Sequence, residues 1–342
     1  MLKDTLGITE DWANCLAEFR SFGGSAENVI QRLGSFGLGL FPADPTRPVK
    51  LSVPEHLLVP ADLVDLDNGA AIIIDSSGFP PGYADWFRRY QENYSWGAEG
   101  ETSVTQFQTG LQELPAAVLS LMEAQNLYSA EGRLADGDKQ RRMLRHFLMS
   151  RCIKRRGVLM VMPLVELVNH SAKAENWTIP TDGGVGIDGQ YNGEILVKYS
   201  NADSLRRLLH FGFNNLEPMA FSLSVQLPHR GLSVNVKGGG GRNWGDQPSI
   251  ELQDERLIIR ELLLGHQWMP RLPKTLLMKA AASIQQIDGA ELFEQIQVVN
   301  RLELIALLRQ LDGVKGVAAA QMRRGCLDQF QALSHHIGTS TG

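Results

Sequence analysis

Three short segments carry residue types that could bind a ligand or assist a reaction. Gly37 and Gly39 lie in a strand-like run, where backbone without side chains can approach a ligand closely. Asn169 and His170 end an apolar run, and an amide beside an imidazole can both donate and accept hydrogen bonds. Tyr199 closes another strand-like run with a phenolic hydroxyl. Taken singly, each segment is more typical of a turn, a satisfied imidazole or an amphipathic core residue.

The glycine pair does not predict a dinucleotide site. That fingerprint needs Gly-x-Gly-x-x-Gly at the start of a helix, and here the prolines of Phe41 to Pro45 follow instead. A nicotinamide-dependent oxidoreductase is therefore a disfavoured alternative, which nicotinamide binding would reveal.

Two kinds of sequence pattern lie between and around these segments. Short β-type runs, broken by Gly, Pro and Asp, fill residues 29–74 and predict small strands. Residues 83–155 change to helical spacing, with Trp86, Phe87 and Tyr90 on one face. The pattern predicts a block of helices placed between two β-rich parts.

Further elements complete the prediction. A leading helix is expected over residues 9–22 after a Thr9 cap. Strands and turns return over 159–213 and end in a short helix closed by Gly212. From about Leu257 to the end we predict helices.

Composition limits the class of protein. The 342 residues, 43% hydrophobic and 21% charged, predict two or three globular units. A net charge of -5 gives no overall field for a polyanion, so nucleic acid is not an expected partner. Three dispersed cysteines predict neither a zinc site nor a disulfide framework. Without a signal peptide or a membrane-length apolar run, we expect a soluble intracellular protein of the cytoplasm, bound to no membrane and no metal.

The order of the segments resembles the SET domain. A Gly-x-Gly strand comes first, Asn-His-Ser follows a Pro-x-x-Glu-Leu run, and Gly-Glu-(x)4-Tyr comes about thirty residues later. The helical block, Ser150-Arg151 before the Asn-His run and Gly-Phe after Tyr199 are similar to the Rubisco large-subunit lysine methyltransferase branch. That branch lacks a zinc-binding cysteine tail, as this chain does.

The resemblance implies an α+β fold built around a β-rich SET domain. Its core is expected in two parts, with an inserted helical region and a mostly helical C-terminal lobe that binds the substrate. The four expected parts are, in order, residues 1–82 (N-terminal part of the core), 83–148 (inserted region), 149–218 (C-terminal part of the core) and 219–342 (C-terminal lobe).

The resemblance also implies S-adenosylmethionine as cofactor. The residues that match the family's cofactor positions are Phe36, Gly37, Leu38, Ser150, Arg151, Asn169, His170 and Tyr199. Arg151 suits the cofactor carboxylate, because a guanidinium can form two parallel hydrogen bonds to it. Asn169 can donate and accept, and His170 is expected to use its backbone.

The implied reaction is methylation of a protein side chain, most readily a lysine, with Tyr199 as the catalytic residue. Glu166, Val168 and Phe211 match positions that line the channel for the substrate amine, and Trp177 is a candidate aromatic contact. The implied partner is a protein that bears the target lysine. Two alternatives stay open: a protein-histidine methyltransferase, and a catalytically reduced SET-like module that binds a partner. The number of methyl groups added is also open.

Overall fold

The structure is a computed structural model that describes four ranges of the chain: 10–95, 103–127, 139–239 and 243–334. The chain divides into two compact units. The first comprises residues 1–102 and 138–199, and the second comprises 103–137 and 200–342.

Helices and strands both contribute throughout, so the predicted α+β class is confirmed. The helices are α1 (Glu10–Ser21), α2 (Tyr83–Tyr94), α3 (Ser103–Gln112), α4 (Ala116–Ala124), α5 (Lys139–Arg151), α6 (Ser204–Phe211), α7 (Leu272–Ala281), α8 (Gly289–Leu311) and α9 (Val317–Ser334). The strands of the first unit are β1 (Ser25–Glu27), β2 (Val29–Gly34), β3 (Gly37–Pro42), β4 (Val49–Val53), β5 (Val59–Pro60), β6 (Val64–Asp67), β7 (Ala70–Ile73), β8 (Cys152–Arg155), β9 (Val158–Val161), β10 (Asn169–His170), β11 (Val185–Gly189) and β12 (Leu196–Val197). Those of the second are β13 (Met219–Phe221), β14 (Val225–His229), β15 (Leu232–Lys237), β16 (Ser249–Gln253), β17 (Arg256–Arg260) and β18 (Leu263–His266).

The first unit is made of several small sheets, as the short β-type runs predict. Two hairpins pair β2 with β3 and β6 with β7, while β1-β4-β11 and β5-β9-β8 form three-stranded sheets. Strands β10 and β12 pair in parallel and come from distant parts of the chain. The leading helix is confirmed as α1, although its predicted cap, Thr9, lies outside the described residues.

Helix α2 supplies the aromatic core of the first unit. Tyr83, Trp86, Phe87 and Tyr90 are buried at the i, i+3, i+4 and i+7 positions that share one helical face. Trp86 stacks on Tyr83 and on Tyr90, with 5.3 Å between ring centroids in both pairs. The indole of Trp86 donates to the carbonyl of Cys15 at 3.0 Å, which satisfies its N–H in the core.

The predicted inserted region, 83–148, is divided between the units. Its helices α2 and α5 belong to the first unit, whereas α3 and α4 belong to the second. The buried side chains of α3 and α4 join the apolar core that α8 and α9 also build.

The second unit contains more sheet than the sequence predicted. Residues from Leu257 were expected to be helical, but β17 and β18 occupy them, and the helices begin at Leu272. In β17, Leu257 and Ile259 are buried while Arg256 and Arg260 are exposed, which is the alternation of a strand. The strand order β14-β15-β17-β16 makes this sheet the largest of the unit.

Helix α6 ends where the sequence predicts, and an aspartate caps its start. The Asp203 carboxylate caps its first turn by accepting from the backbone N–H of Arg206 at 2.9 Å. Gly212 ends the helix with φ at +76°, which a residue without a side chain adopts easily.

A fully buried ion pair follows the first turn of α6. Arg207 Nε donates to the Glu217 carboxylate at 2.5 Å, and neither side chain is exposed. The guanidinium also donates to the carbonyl of Ser200 at 3.0 Å. These contacts connect α6 to the chain on both sides of it.

Within the described ranges, no helix is both long and apolar enough to cross a membrane. The same ranges hold no group of three or more His, Cys, Asp or Glu side chains that could ligate a metal. Cys15, Cys152 and Cys326 are free thiols.

Candidate active site

The parallel pair of β10 and β12 brings the Asn-His and Gly-Glu-(x)4-Tyr segments together. Asn169 lies opposite Leu196, and His170 lies opposite Val197. The backbone N–H of Ser171 extends the pairing by donating to the carbonyl of Val197 at 3.0 Å. Because Tyr199 comes two residues after Val197, this register places it beside the Asn-His turn.

Hydrogen bonds and ring contacts hold Tyr199 there. Its hydroxyl donates to the carbonyl of Val168 at 2.5 Å, and its backbone N–H donates to Nδ1 of His170 at 3.1 Å. The His170 and Tyr199 ring centroids are 5.2 Å apart. The tyrosine is half-buried and the histidine is buried, so the ring is fixed at a partly accessible position.

These hydrogen bonds define what the two side chains can do. The single hydroxyl proton of Tyr199 points to the Val168 carbonyl, so lone pairs are what the phenolic oxygen can present to a ligand. Nδ1 of His170 accepts a hydrogen bond and therefore carries no proton, which makes the imidazole a neutral positioning group. His170 thus acts on Tyr199 through its side chain, a role that the sequence did not predict.

Asn169 has a fixed amide orientation. Its Nδ2 donates to the carbonyl of Leu38 at 3.1 Å and to the Glu194 carboxylate at 2.7 Å. Both partners are acceptors only, so the nitrogen must face them. Because both N–H bonds are used, the group that Asn169 can offer to a ligand is its carbonyl oxygen, Oδ1, and the predicted donor role is not available without breaking a contact.

Gly37 and Gly39 of the β2–β3 hairpin are glycines for different structural reasons. Gly37 follows the tight turn at Ser35 and Phe36 and has φ at +96°, and a Cβ there would meet open space. At Gly39 a Cβ would collide with the Glu194 carboxylate and would lie 2.7 Å from the amide nitrogen of Asn169. Glu194 and Asn169 fill the space that a side chain at Gly39 would need, so their packing explains this glycine without a ligand, and close approach of the backbone to a ligand stays a prediction.

Replacing Gly37 should destabilise the fold without any steric clash. We expect Gly37→Ala to lower the free energy of unfolding by about 1 kcal/mol, because only the positive φ opposes a side chain. Urea denaturation of the full chain measures this value. The control is Gly78→Ala, which also meets open space but has no positive φ. Equal stabilities of the two variants would contradict the strain at Gly37.

Glu166 belongs to a buried network. Its Oε1 accepts from the Tyr90 hydroxyl at 2.9 Å, from Gln91 at 2.8 Å and from Ser95 at 2.8 Å. Burial raises the pKa of the Glu166 carboxyl, while the positive charge of Arg151 opposes that rise. These contacts explain the side chain without a substrate, so its place in a substrate channel stays a prediction that the structure gives no reason to favour.

The same network supports a strained turn just before the site. Leu164 has φ at +66°, and the N–H of Val165 closes a three-residue turn on the carbonyl of Pro163 at 2.8 Å. The Tyr90 hydroxyl accepts from the backbone N–H of Leu164 at 3.0 Å. The Tyr90 hydroxyl therefore contacts both the strained turn at Leu164 and the Glu166 carboxylate. These two residues lie four and two positions before Val168, respectively.

Ser150 and Arg151 end helix α5, near the same turn. The Ser150 hydroxyl donates back to the carbonyl of His146 at 2.8 Å, a bond within the helix. Arg151 is half-buried, and its guanidinium donates to the carbonyl of Glu166 at 3.4 Å. Their contacts with a cofactor stay predictions.

The remaining predicted residues differ in their surroundings. Phe36 is 53% exposed at the tip of the β2–β3 hairpin, and Val168 is buried. Phe211 belongs to the second unit, where the Arg207 guanidinium lies 5.5 Å from its ring centroid. Their cofactor and substrate contacts stay predictions.

Two residues at the site carry no firm assignment from the sequence. Trp177 stacks on Tyr199, with ring planes 11° apart and centroids 6.0 Å apart. Glu194 lies against the glycine hairpin and holds Asn169. The signal for Glu194 was available as an acidic residue just before the apolar run that contains β12, but its partner is 25 residues away.

Comparison with known proteins gives matches among solved structures alone. No model of a protein family matches the sequence, and no curated protein matches it. The chain is similar to the SET domain of LSMT bound to methyllysine and AdoHcy, at 13% identity and a TM-score of 0.44, over 96% of this chain and 90% of that one. It is also similar to Rubisco LSMT bound to AdoMet, at 15% identity and a TM-score of 0.42, over 93% and 89% of the two chains.

A third similar structure is the SET domain of LSMT bound to lysine and AdoHcy, at 13% identity and a TM-score of 0.40, over 94% and 90% of the two chains. Two of these three structures are SET domains.

Proposed function

We propose that this chain is an S-adenosylmethionine-dependent protein N-methyltransferase that acts on lysine. The observation that supports it most is the placement of Tyr199, whose hydroxyl donates to the Val168 carbonyl beside the Asn169-His170 turn. Two oxygens that present lone pairs at one half-buried point suit a reaction in which a polarised methyl group is transferred.

The residues around the turn fit the charged groups of S-adenosylmethionine. The Oδ1 of Asn169 is oriented as an acceptor and suits the α-ammonium group. Arg151 suits the α-carboxylate, and the backbone of His170 suits the adenine edge. Phe36, Gly37, Leu38 and Ser150 complete the proposed cofactor contacts.

When bound, this cofactor supplies an electrophilic methyl group on a sulfonium sulfur. Tyr199 orients and does not serve as an acid, because its proton is held by the Val168 carbonyl. Its lone pairs can make C–H···O contacts that fix the line of approach, and such alignment lowers the barrier to a displacement between two bound groups.

The substrate amine must be neutral before it can attack. Lysine has an ordinary pKa of about 10.4, and apolar surroundings lower it by disfavouring the ammonium form. We assign this environment to Val168 and the stacked ring of Trp177. Glu166 and Phe211 stay channel residues that only the family resemblance predicts. We also assign recognition of the protein substrate to residues 219–342.

Label transfer tests the proposed function. Incubation of the full chain with tritiated S-adenosylmethionine and host lysate should label a protein, and mass spectrometry should locate the methyl group on lysine. A label on histidine would contradict lysine as the target residue but would still support protein N-methylation. Cofactor binding without transfer to any protein would favour a binding module instead.

Arg151 should matter for affinity more than for turnover. We expect Arg151→Ala to weaken S-adenosylmethionine binding by about tenfold to a hundredfold, because a charge-assisted hydrogen bond contributes about 1.5–3 kcal/mol. Calorimetric titration measures the change. Lys154→Ala, which removes the same charge from an exposed position on β8, is the control. Equal affinities for both variants would remove Arg151 from the proposed carboxylate site.

A further inference from the structure

Glu194 lies at the centre of the contacts that join the three segments of the site. Its Oε1 accepts from Asn169 at 2.7 Å. A Cβ added to Gly34 would lie 2.5 Å from its Oε2, and one added to Gly39 would collide with its Oε1. The next residue, Ile195, donates its backbone N–H to the carbonyl of Leu40 at 2.8 Å, so strand β3 also holds the segment that carries the carboxylate.

We propose that Glu194 is a positioning residue that fixes the orientation of the Asn169 amide. An asparagine amide can flip by half a turn and exchange its donor and acceptor ends. The Leu38 carbonyl holds one N–H bond, and Glu194 holds the other. Without Glu194, a single hydrogen bond would hold the amide, and Oδ1 would no longer be presented to a ligand in one orientation.

The same contact explains why Gly34 and Gly39 stand at their positions. The carboxylate occupies the space that side chains at both positions would need. The backbone of the β2–β3 hairpin, the Glu194 carboxylate and the Asn169 amide therefore pack directly against one another. The inference rests on the proposed function only where it concerns S-adenosylmethionine, because the Glu194–Asn169 contact is present without a ligand.

Three substitutions separate the position of the acceptor from its charge. Glu194→Gln keeps an oxygen in place and removes the charge, whereas Glu194→Asp keeps the charge and withdraws it by one methylene. Glu194→Ala removes both. Calorimetric titration with S-adenosylmethionine measures the affinity of each variant. If Glu194 is a positioning residue, Glu194→Gln should bind within about threefold of the parent affinity, whereas Glu194→Asp and Glu194→Ala should bind about tenfold more weakly.

The reverse order of affinities would overturn the inference. If Glu194→Asp bound like the parent and Glu194→Gln bound more weakly, the negative charge of Glu194 would itself bind the ligand. Glu27→Ala, at an exposed position on β1, controls for net charge and should bind as the parent does. If Glu194→Ala does not fold, the order of Gln and Asp still decides.

A double-mutant cycle in urea tests the contact without any cofactor. Asn169→Ala and Glu194→Asp, which withdraws the acceptor from the amide, should each lower stability, and the two changes should not add, because the pair is in direct contact. Additive changes would overturn the positioning role. If the parent binds no S-adenosylmethionine, the proposed function fails, and the cycle still decides whether Glu194 holds Asn169.

Discussion

Tyr199→Phe should slow methyl transfer by about a hundredfold to a thousandfold while S-adenosylmethionine binds with nearly unchanged affinity. The ring and its stacking on Trp177 remain, but the oxygen that donates to Val168 is lost. Removing one oriented polar group at a reaction centre typically has an effect of this size on kcat. Single-turnover kinetics with labelled cofactor measure the rate, and calorimetry measures the affinity.

Two measurements keep this result interpretable. Tyr94→Phe removes a hydroxyl at the end of α2, where the ring packs edge-on against Trp12, and should transfer methyl groups at the parent rate. Urea unfolding should show that Tyr199→Phe loses only about 1 kcal/mol, the value of one hydrogen bond. Unchanged kcat in Tyr199→Phe would refute a catalytic role for this residue.

Arg207→Ala should lower the free energy of unfolding by about 3–5 kcal/mol, because the Glu217 carboxylate would remain buried without its charged partner. The Ser200 carbonyl would also lose its donor. Denaturant unfolding of the full chain measures the loss.

A matched surface pair provides the control for this buried one. Arg260 and Glu251 form an ion pair at 3.1 Å with both side chains nearly half exposed, so Arg260→Ala should lower the free energy of unfolding far less than Arg207→Ala does. The double variant Arg207→Met with Glu217→Leu should recover most of the stability lost in Arg207→Ala, because no unpaired charge remains. A loss as small as that of Arg260→Ala would show that the buried pair is not coupled.

Local patterns predicted the elements whose signals lie within a few residues. The spacing of Trp86, Phe87 and Tyr90 predicted the buried face of α2, and Gly212 predicted the end of α6. The strands β17 and β18 were missed because short apolar runs of this length suit a buried strand and a helix segment equally. Their partners, β15 and β13, lie elsewhere in the chain and decide between the two.

The candidate site shows the same division between local and distant information. The resemblance led us to expect Asn169, His170 and Tyr199 together, and the β10–β12 register places them so. The sequence did not show that Glu166 faces inward, because its three donors come from residues more than 70 positions away. The structural reason for Gly39 was not visible in the sequence, because Glu194, which fills the space that a side chain there would need, is far away along the chain.

Calorimetric titration of the full chain with S-adenosylmethionine tests the central claim most directly, which is that the Asn169-His170 turn and Tyr199 form one cofactor site. We predict saturable binding of one equivalent, weakened about tenfold or more in Asn169→Ala. Asn93→Ala, on the exposed face of α2, should bind as the parent does. No heat of binding at millimolar cofactor, or equal affinities for the two asparagine variants, would contradict the account.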